Sequence, residues 1–249
     1  MSIRVVLFGA AGRMGRMILT EAKGAGDIEI AHAYEKPEYE RIGEVVEGLR
    51  VEESPSEIPK DIQVVVDFSS PKAATRHAQM AAKAKVAFVC GVTGITDAGH
   101  AELARCAEKI AIVWAPNMAP GMTMLFKLGE LLTKALPDYD RHIIEIHHTK
   151  KKDAPSGSAL MLQAALGDAG KTPITSLRLS DVVGEHRLIL AGPGEQIELV
   201  HRAESRRAFA LGTLRAVRWI ASQKPGLYGT AEVLGLQGHA RVNRLVERE

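Results

Sequence analysis

Cysteine is nearly absent from this chain, with Cys90 and Cys106 the only thiols in 249 residues. Two cysteines 16 positions apart (106 minus 90), with no CxxC pairing, build no disulfide framework, and both read as reduced and structural. Aromatic residues are scarce at 4%, and neither sign of charge dominates: Lys and Arg number 32 against 30 Asp and Glu, a formal net charge of +2. That balance excludes a strongly attracted polyanion, so no nucleic-acid partner is expected. No apolar run approaches the length of a membrane span, and a first strand beginning at Ile3 leaves no signal peptide; a cytoplasmic protein is expected. Long repeats and low-complexity segments are missing as well. What remains is a 46% hydrophobic chain long enough for one large or two modest domains with real cores.

The N-terminus supplies the first positive signal. Ile3 to Phe8 is an apolar strand that runs into Gly9-Ala10-Ala11-Gly12-Arg13-Met14-Gly15, followed by a helical pattern through Ile18, Leu19 and Ala22. Strand, glycine turn and helix form the context of a dinucleotide fingerprint, here spaced G-x-x-G-x-x-G. Gly9 would make the tight turn, Gly12 would let backbone approach a pyrophosphate, and Gly15 would let helix and strand pack closely. Glycines alone would equally serve a bare βα turn. A second strand from Ile28 ends at Glu35, 20 positions past Gly15 (35 minus 15), the spacing of an acid that binds the adenosine ribose. Lys36 follows it, and a carboxylate beside a cation suits both NADH and NADPH.

Further near-continuous apolar runs stand at 64–68, 87–91 and 110–115, with helical segments at 73–83 and 98–107 between them. Such runs belong to a parallel sheet covered on both faces, and the βαβα alternation to a doubly wound, Rossmann-like α/β fold. The loops after these strands hold Ser69-Ser70-Pro71, Gly91-Val92-Thr93-Gly94 and Pro116 to Gly121, small residues that leave space for a nicotinamide ring. Beyond Pro116 the pattern changes to a helix over 124–136 and strands at 141–148, 176–179, 185–191 and 196–203, with a hairpin turn at Gly192-Pro193-Gly194-Glu195. This predicts a second, α+β domain on a mixed sheet at 120–206, with 1–119 and 207–249 forming the dinucleotide-binding domain. Crossings near Asn117 and Arg206 would act as a hinge.

The densest chemistry lies at His147-His148-Thr149-Lys150-Lys151-Lys152-Asp153-Ala154-Pro155-Ser156-Gly157-Ser158, between a β-branched strand and a helix. The loop concentrates cations, proton donors and free backbone amides, a device for gripping a small anion. A helix start leaves its first N–H groups unpaired and carries partial positive charge, so the amides of Gly157 and Ser158 and the Ser158 hydroxyl would receive a carboxylate, strengthened by the Lys151 ammonium. Taken singly, a lysine run is usually a solvated face and a serine before a helix usually its cap. A metal site on His142, His147 and His148 fits poorly, because adjacent strand residues face opposite ways and no HExxH pattern joins them; none is expected.

With these pieces assembled, the whole chain resembles the 4-hydroxy-tetrahydrodipicolinate reductases (dihydrodipicolinate reductases) of the diaminopimelate route to lysine. The elements that carry the resemblance are the Gly9 to Gly15 loop, Asp67-Phe68-Ser69, Gly91-Val92-Thr93-Gly94, Ala115-Pro116-Asn117 and, above all, the string from Glu145 to Ser158. By that resemblance His147 falls at the general-acid position and Lys151 at the catalytic lysine. His148, Gly157 and Ser158 fall at positions that bind the carboxylates of a dicarboxylate substrate. Arg13, Met14, Glu35, Gly91, Thr93, Ala115, Asn117 and Met118 fall in the cofactor loops, and Arg206 in the hinge region. The resemblance also implies hydride transfer from NADH or NADPH to C4 of the substrate and a homotetramer built on the second domain. The chain departs from the family pattern at Val92, where a threonine is usual, at Met118-Ala119, where Phe-Ser is usual, at Ser158, which keeps a hydroxyl in place of threonine, and at Ser180, where glycine is frequent. Two other classes compete: a dinucleotide sensor without turnover, and an amino-acid dehydrogenase sharing the first domain. Neither needs the loop from Lys151 to Ser158.

Overall fold

The computed structural model describes residues 2–167 and 170–236. The chain divides into two compact units. One comprises the chain up to Met118 and resumes at Phe209, and the other is Ala119–Ala208.

The first unit alternates strand and helix: β1 (Ile3–Phe8), α1 (Arg13–Lys23), β2 (Ile28–Glu35), β3 (Val45–Val46), β4 (Leu49–Glu53), β5 (Val64–Asp67), α2 (Pro71–Ala84), β6 (Ala87–Cys90), α3 (Asp97–Ala107) and β7 (Ala111–Trp114). Its eight-stranded sheet runs β12-β7-β6-β5-β1-β2-β4-β3, where β12 is Gly226–Tyr228, and only the β3–β4 pair is antiparallel. Burial on both faces accounts for the continuous apolar strands. Val5, Leu7, Val64 and Val66 pack on one face, and Val6, Phe8, Val65 and Phe88 on the other, as the period of two requires. The order reverses at β1, which has β2 on one side and β5 on the other; ligands of open α/β sheets bind outside the strand ends at such a switch point.

The second unit contains α4 (Pro120–Ala135), β8 (Asp140–His147), α5 (Gly157–Ala165), β9 (Ile174–Arg178), β10 (Gly184–Gly192) and β11 (Glu195–Ala203). Its sheet order is β11-β10-β8-β9, with β8 and β9 parallel and the remaining pairs antiparallel, a mixed sheet as expected. Alternation along β8 and β10 buries Ile143, Glu145, His147, His186, Leu188 and Leu190, and the two helices pack on the sheet. Next, α6 (Arg207–Ile220) places Ala210, Leu214 and Val217 in the first unit's core, before β12 and the short α7 (Thr230–Val233).

Some boundaries differ from the sequence expectation. Helix α4 starts four residues earlier than Met124 (124 minus 120), because Pro120 sits in its first turn, where a missing N–H is harmless and φ is already helical. Helix α5 starts at Gly157, capped by Ser156, whose side chain accepts from the Ala159 N–H. The hairpin β3–β4 was not expected, since its strands are too short to show periodicity.

Candidate active site

In the first unit the glycine loop is shaped by what its residues lack. Gly9 has a φ of 77°, and a Cβ there would lie 2.7 Å from the Phe68 carbonyl carbon. At Gly15 a Cβ would lie 2.2 Å from the Gly9 carbonyl oxygen, closer than any real side chain sits, so β1 and α1 approach only with glycine at that point. Gly12 caps α1 without a side-chain hydrogen bond, and the first turn carries no acid, which leaves a positive helix end suited to phosphate. Glu35, half-buried at the end of β2, reaches this loop: its Oε1 accepts the Ala11 N–H at 3.0 Å. Lys36 and Arg13 are exposed, while Met14 is half-buried and Ala10 buried.

The neighbouring loops are braced by a buried polar junction that the sequence reading missed. Asp67, with no exposed surface, accepts the Ser69 N–H at 2.8 Å and the Ser69 hydroxyl at 2.6 Å. Its other oxygen meets His77 Nδ1 at 2.6 Å, and the His77 ring stacks on Phe8 with centroids 3.7 Å apart. Gly91 completes the packing, since a Cβ there would meet the Phe68 ring at 2.1 Å. The loops after β1, β5 and β6 are thereby brought together. Thr93 is exposed, and Ala115 is buried with its N–H bonded to the Cys90 carbonyl at 3.0 Å. Val92 and Met118, expected in cofactor loops, turn their side chains into the hydrophobic core; Val92 uses its carbonyl to accept the Trp114 Nε1–H at 3.2 Å. At both departures, core packing rather than a polar or aromatic contact occupies the side chain. Asn117 is half-buried at the end of this unit.

The second unit gathers a different kind of site. His147 is the last residue of β8, buried at 8% exposure, and its Nδ1 meets Oε2 of the fully buried Glu145. Glu145 also takes two bonds from Arg178, at 2.9 and 3.1 Å, and the Ser156 N–H at 3.2 Å. Burial pushes the Glu145 carboxyl up, but bonds from Arg178, Ser176 and His147 prevail and hold it below the usual carboxylate range. His147 is shifted down by burial, which outweighs the pull of Glu145. His186 stands edge-on to His147, with centroids 5.2 Å apart, and its Nε2 is hydrogen-bonded with the Ser156 hydroxyl at 3.1 Å; burial and the neighbouring His147 depress it to about 3.

The predicted anion loop follows directly. Lys151 pairs with Asp153 at 2.8 Å, and Asp153, raised by burial, is brought below its usual range by Lys151 and by the backbone amides of Asp153 and Gly157. The cation and the helix-start amide assigned to an anion thus both act on a carboxylate of the chain itself. Gly157 is exposed, with nothing within 4 Å of where a Cβ would be, and Ser158 is half-buried beside it. His148, half-buried past the strand end, has its Nδ1 buried with no hydrogen-bond partner among the described residues. Arg206 lies two residues before the last residue of this unit (208 minus 206).

Glu145, Arg178 and His186 were not singled out from sequence. Glu145 stands two positions before His147, so period-two alternation would have placed both on one strand face. Arg178 is 33 residues from Glu145 and carries no local signal. Among the described residues no group of three or more His, Cys, Asp or Glu is arranged to hold a metal ion.

A doubly wound unit with a phosphate-ready glycine loop and a ribose-spaced acid, in one chain with a buried acid–base pair and a cationic loop, defines the class: a pyridine-nucleotide-dependent oxidoreductase acting on a small anion. Within that class the chain belongs to the dihydrodipicolinate reductase family. Residues 3–118 match the model of the family's N-terminal part and residues 121–234 that of its C-terminal part. A 4-hydroxy-tetrahydrodipicolinate reductase of Thiobacillus denitrificans is 37% identical over 267 residues, covering 95% of this chain and 100% of the relative. One from Aquifex aeolicus is 38% identical over 265 residues, with 95% and 100% covered. Among solved structures, a dipicolinate-bound dihydrodipicolinate reductase from Paenisporosarcina sp. TG-14 is similar with a TM-score of 0.76 at 22% identity, over 93% of this chain and 99% of that one, a likeness of fold.

Proposed function

We propose that this protein reduces 4-hydroxy-tetrahydrodipicolinate to tetrahydrodipicolinate with NADH or NADPH, a step of diaminopimelate and lysine biosynthesis, in the cytoplasm. The observation that carries this reading is the second unit's juxtaposition of a histidine paired to a buried carboxylate with a lysine and a helix start already engaged with a carboxylate. A dicarboxylate substrate would take the place of Asp153 on Lys151 and on the Gly157 amide, with His148 and Ser158 as further donors. Water leaves the 4-hydroxy compound, and C4 then accepts a hydride. When bound, the reduced nicotinamide supplies that hydride. His147 or Lys151 returns the proton, help of about 10² to 10⁴-fold for a positioned acid.

The residues of the first unit fit the cofactor. The α1 start suits the pyrophosphate, and the second oxygen of Glu35 suits the ribose hydroxyls, since the first is bonded to Ala11. Accommodating a 2′-phosphate requires Glu35 to turn away from Ala11, while exposed Lys36 offers it only a point charge. Both cofactors are used, and NADH is preferred modestly. The assembly is a homotetramer formed through the mixed sheet: Leu177 and Val200, each 39% exposed, lie on the sheet face opposite the buried row of Glu145 and His147. Residues 120–206 act as the substrate and assembly domain, with Arg206 in the hinge. Light scattering at micromolar concentration tests the assembly, and a monomer contradicts it.

Supplying the substrate in situ with the upstream synthase and following nicotinamide absorbance tests the function. Substrate-dependent oxidation of both cofactors is expected. Cofactor binding without turnover would make the protein a sensor, and turnover only with a 2-oxo acid and ammonia would make it an amino-acid dehydrogenase.

A further inference from the structure

His147 has one committed ring nitrogen and one uncommitted one. Nδ1 is bonded to Glu145, and Nε2 has no hydrogen-bond partner among the described residues. The committed side is unusually well built. Glu145 has no exposed surface and receives His147 Nδ1, both terminal nitrogens of Arg178 and the Ser156 N–H. Arg178 reaches it from β9, where it stands in register beside His147, and donates as well to the Asp153 carbonyl of the anion loop. The uncommitted side is seated by a glycine. A Cβ on Gly184, the first residue of β10, would lie 3.1 Å from Nε2, so that edge of the ring rests against bare backbone.

We infer that Glu145 is a positioning residue of the reaction: it fixes the neutral imidazole of His147 with its proton on Nδ1 and so reserves Nε2 for the reacting proton. The inference rests on the reading of His147 as the proton donor. Its chemistry balances without Glu145 changing state. The resting ring holds a lone pair on Nε2, takes a proton there from solvent, and passes that proton to the reduced substrate, returning to the Nδ1–H form. A carboxylate held in this way orients the imidazole and supports its cation. Arg178 keeps Glu145 ionised while buried, so the carboxylate does not capture the Nδ1 proton. The charged and titratable groups facing His147 are Glu145 on its own strand, Arg178 on β9, His186 on β10 and Lys151 in the loop; burial, Lys151 and Arg178 oppose its protonation, and Glu145 alone favours it. Arg178 also ties the carboxylate to the loop that carries Lys151, so one buried group sets the geometry of both the proton donor and the anion grip.

Long-range proton–nitrogen NMR of histidine-labelled wild-type protein reads the tautomer directly and needs no variant. Nδ1–H is expected for neutral His147, and Nε2–H would overturn the inference even if the protein proves to be the proposed reductase. Conversely, an absence of turnover in the wild type would remove the proposed function while the tautomer still tests the Glu145 link. In Glu145→Gln, kcat is expected to fall by about 10² with cofactor affinity unchanged. The high-pH limb of the kcat profile should move to lower pH, because the imidazolium loses its counter-charge, and Glu145→Asp should restore part of both effects. Gly184→Ala should lower kcat by crowding Nε2 while leaving the proton on Nδ1. A folded Glu145→Gln protein with wild-type kcat and pH profile would contradict the inference.

Discussion

The two units build their sites from opposite materials. Around the first unit's glycine loop, geometry comes from missing side chains, with Gly9, Gly15 and Gly91 each lying where a Cβ would collide with backbone or an aromatic ring. In the second unit it comes from charge: Glu145, Arg178, His147, Lys151 and Asp153 hold one another through ionic hydrogen bonds. A site shaped by space is broken by adding one carbon, and a site shaped by charge is broken by neutralising one group without changing its size. The contrast suits the two ligands: a dinucleotide's phosphates are received by backbone, and a small dicarboxylate needs discrete cations and an acid.

The largest effect is expected at Gly15. Gly15→Ala places a carbon against two carbonyl oxygens, at 2.2 and 2.5 Å, and α1 must move off β1. Denaturant titration should show a loss of about 3 kcal/mol or more, with cofactor binding abolished; a variant of unchanged stability would mean that the close approach of α1 to β1 is not what requires glycine.

Lys151→Ala breaks the other kind of site. The side chain is only partly buried and its partner Asp153 is exposed, so stability should change little. Its kcat/KM should drop by about 10²-fold or more if, as proposed, Lys151 binds and stabilises the reacting anion. Wild-type steady-state kinetics in a folded variant would remove Lys151 from the site.

Acid distinguishes the units next. Among the described residues, His147, His186 and His201 of the second unit are all held below their ordinary value by burial, against His100 alone in the first. When the folded value is the lower one, the unfolded chain binds the extra proton, so stability is complete above about pH 6.5 and falls as pH drops below it. For His186, whose folded value is about 3, the loss reaches about 2 kcal/mol at pH 5. Hydrogen exchange at pH 7 and pH 5 should show protection lost first in peptides from 119–208; earlier loss from the first unit would reverse the comparison.

The smallest effect concerns Glu35. Glu35→Ala should shift the NADH to NADPH ratio of kcat/KM toward NADPH by about 1 to 2 kcal/mol, the scale of one charge-assisted hydrogen bond. An unchanged ratio would mean that Glu35 serves only the Ala11 amide.

The space-built site was the more legible of the two, because its determinants are consecutive. The run from Gly9 to Gly15 and the acid at Glu35 announce strand, turn and helix within one stretch of sequence, and the folded loop has the positive φ at Gly9 and the close contact at Gly15 that the spacing implied. Of the charge-built site only the consecutive part, from His147 to Ser158, could be read. Arg178 joins Glu145 through the parallel pairing of β8 with β9, and His186 arrives on β10; neither register is encoded near His147. The Asp67–His77 junction was hidden for the same reason, being formed between a strand end and the middle of α2. Val92 and Met118 show a further limit: both were expected in cofactor loops, and their apolar side chains follow the core.

The claim that one unit binds cofactor through backbone while the other works through charged side chains is tested most directly in a single variant, His147→Gln, by measuring the NADH dissociation constant and kcat in the same preparation. Cofactor affinity equal to wild type with kcat lower by about 10²-fold or more is predicted. A kcat near wild type, or an affinity that falls in step with kcat, would contradict it.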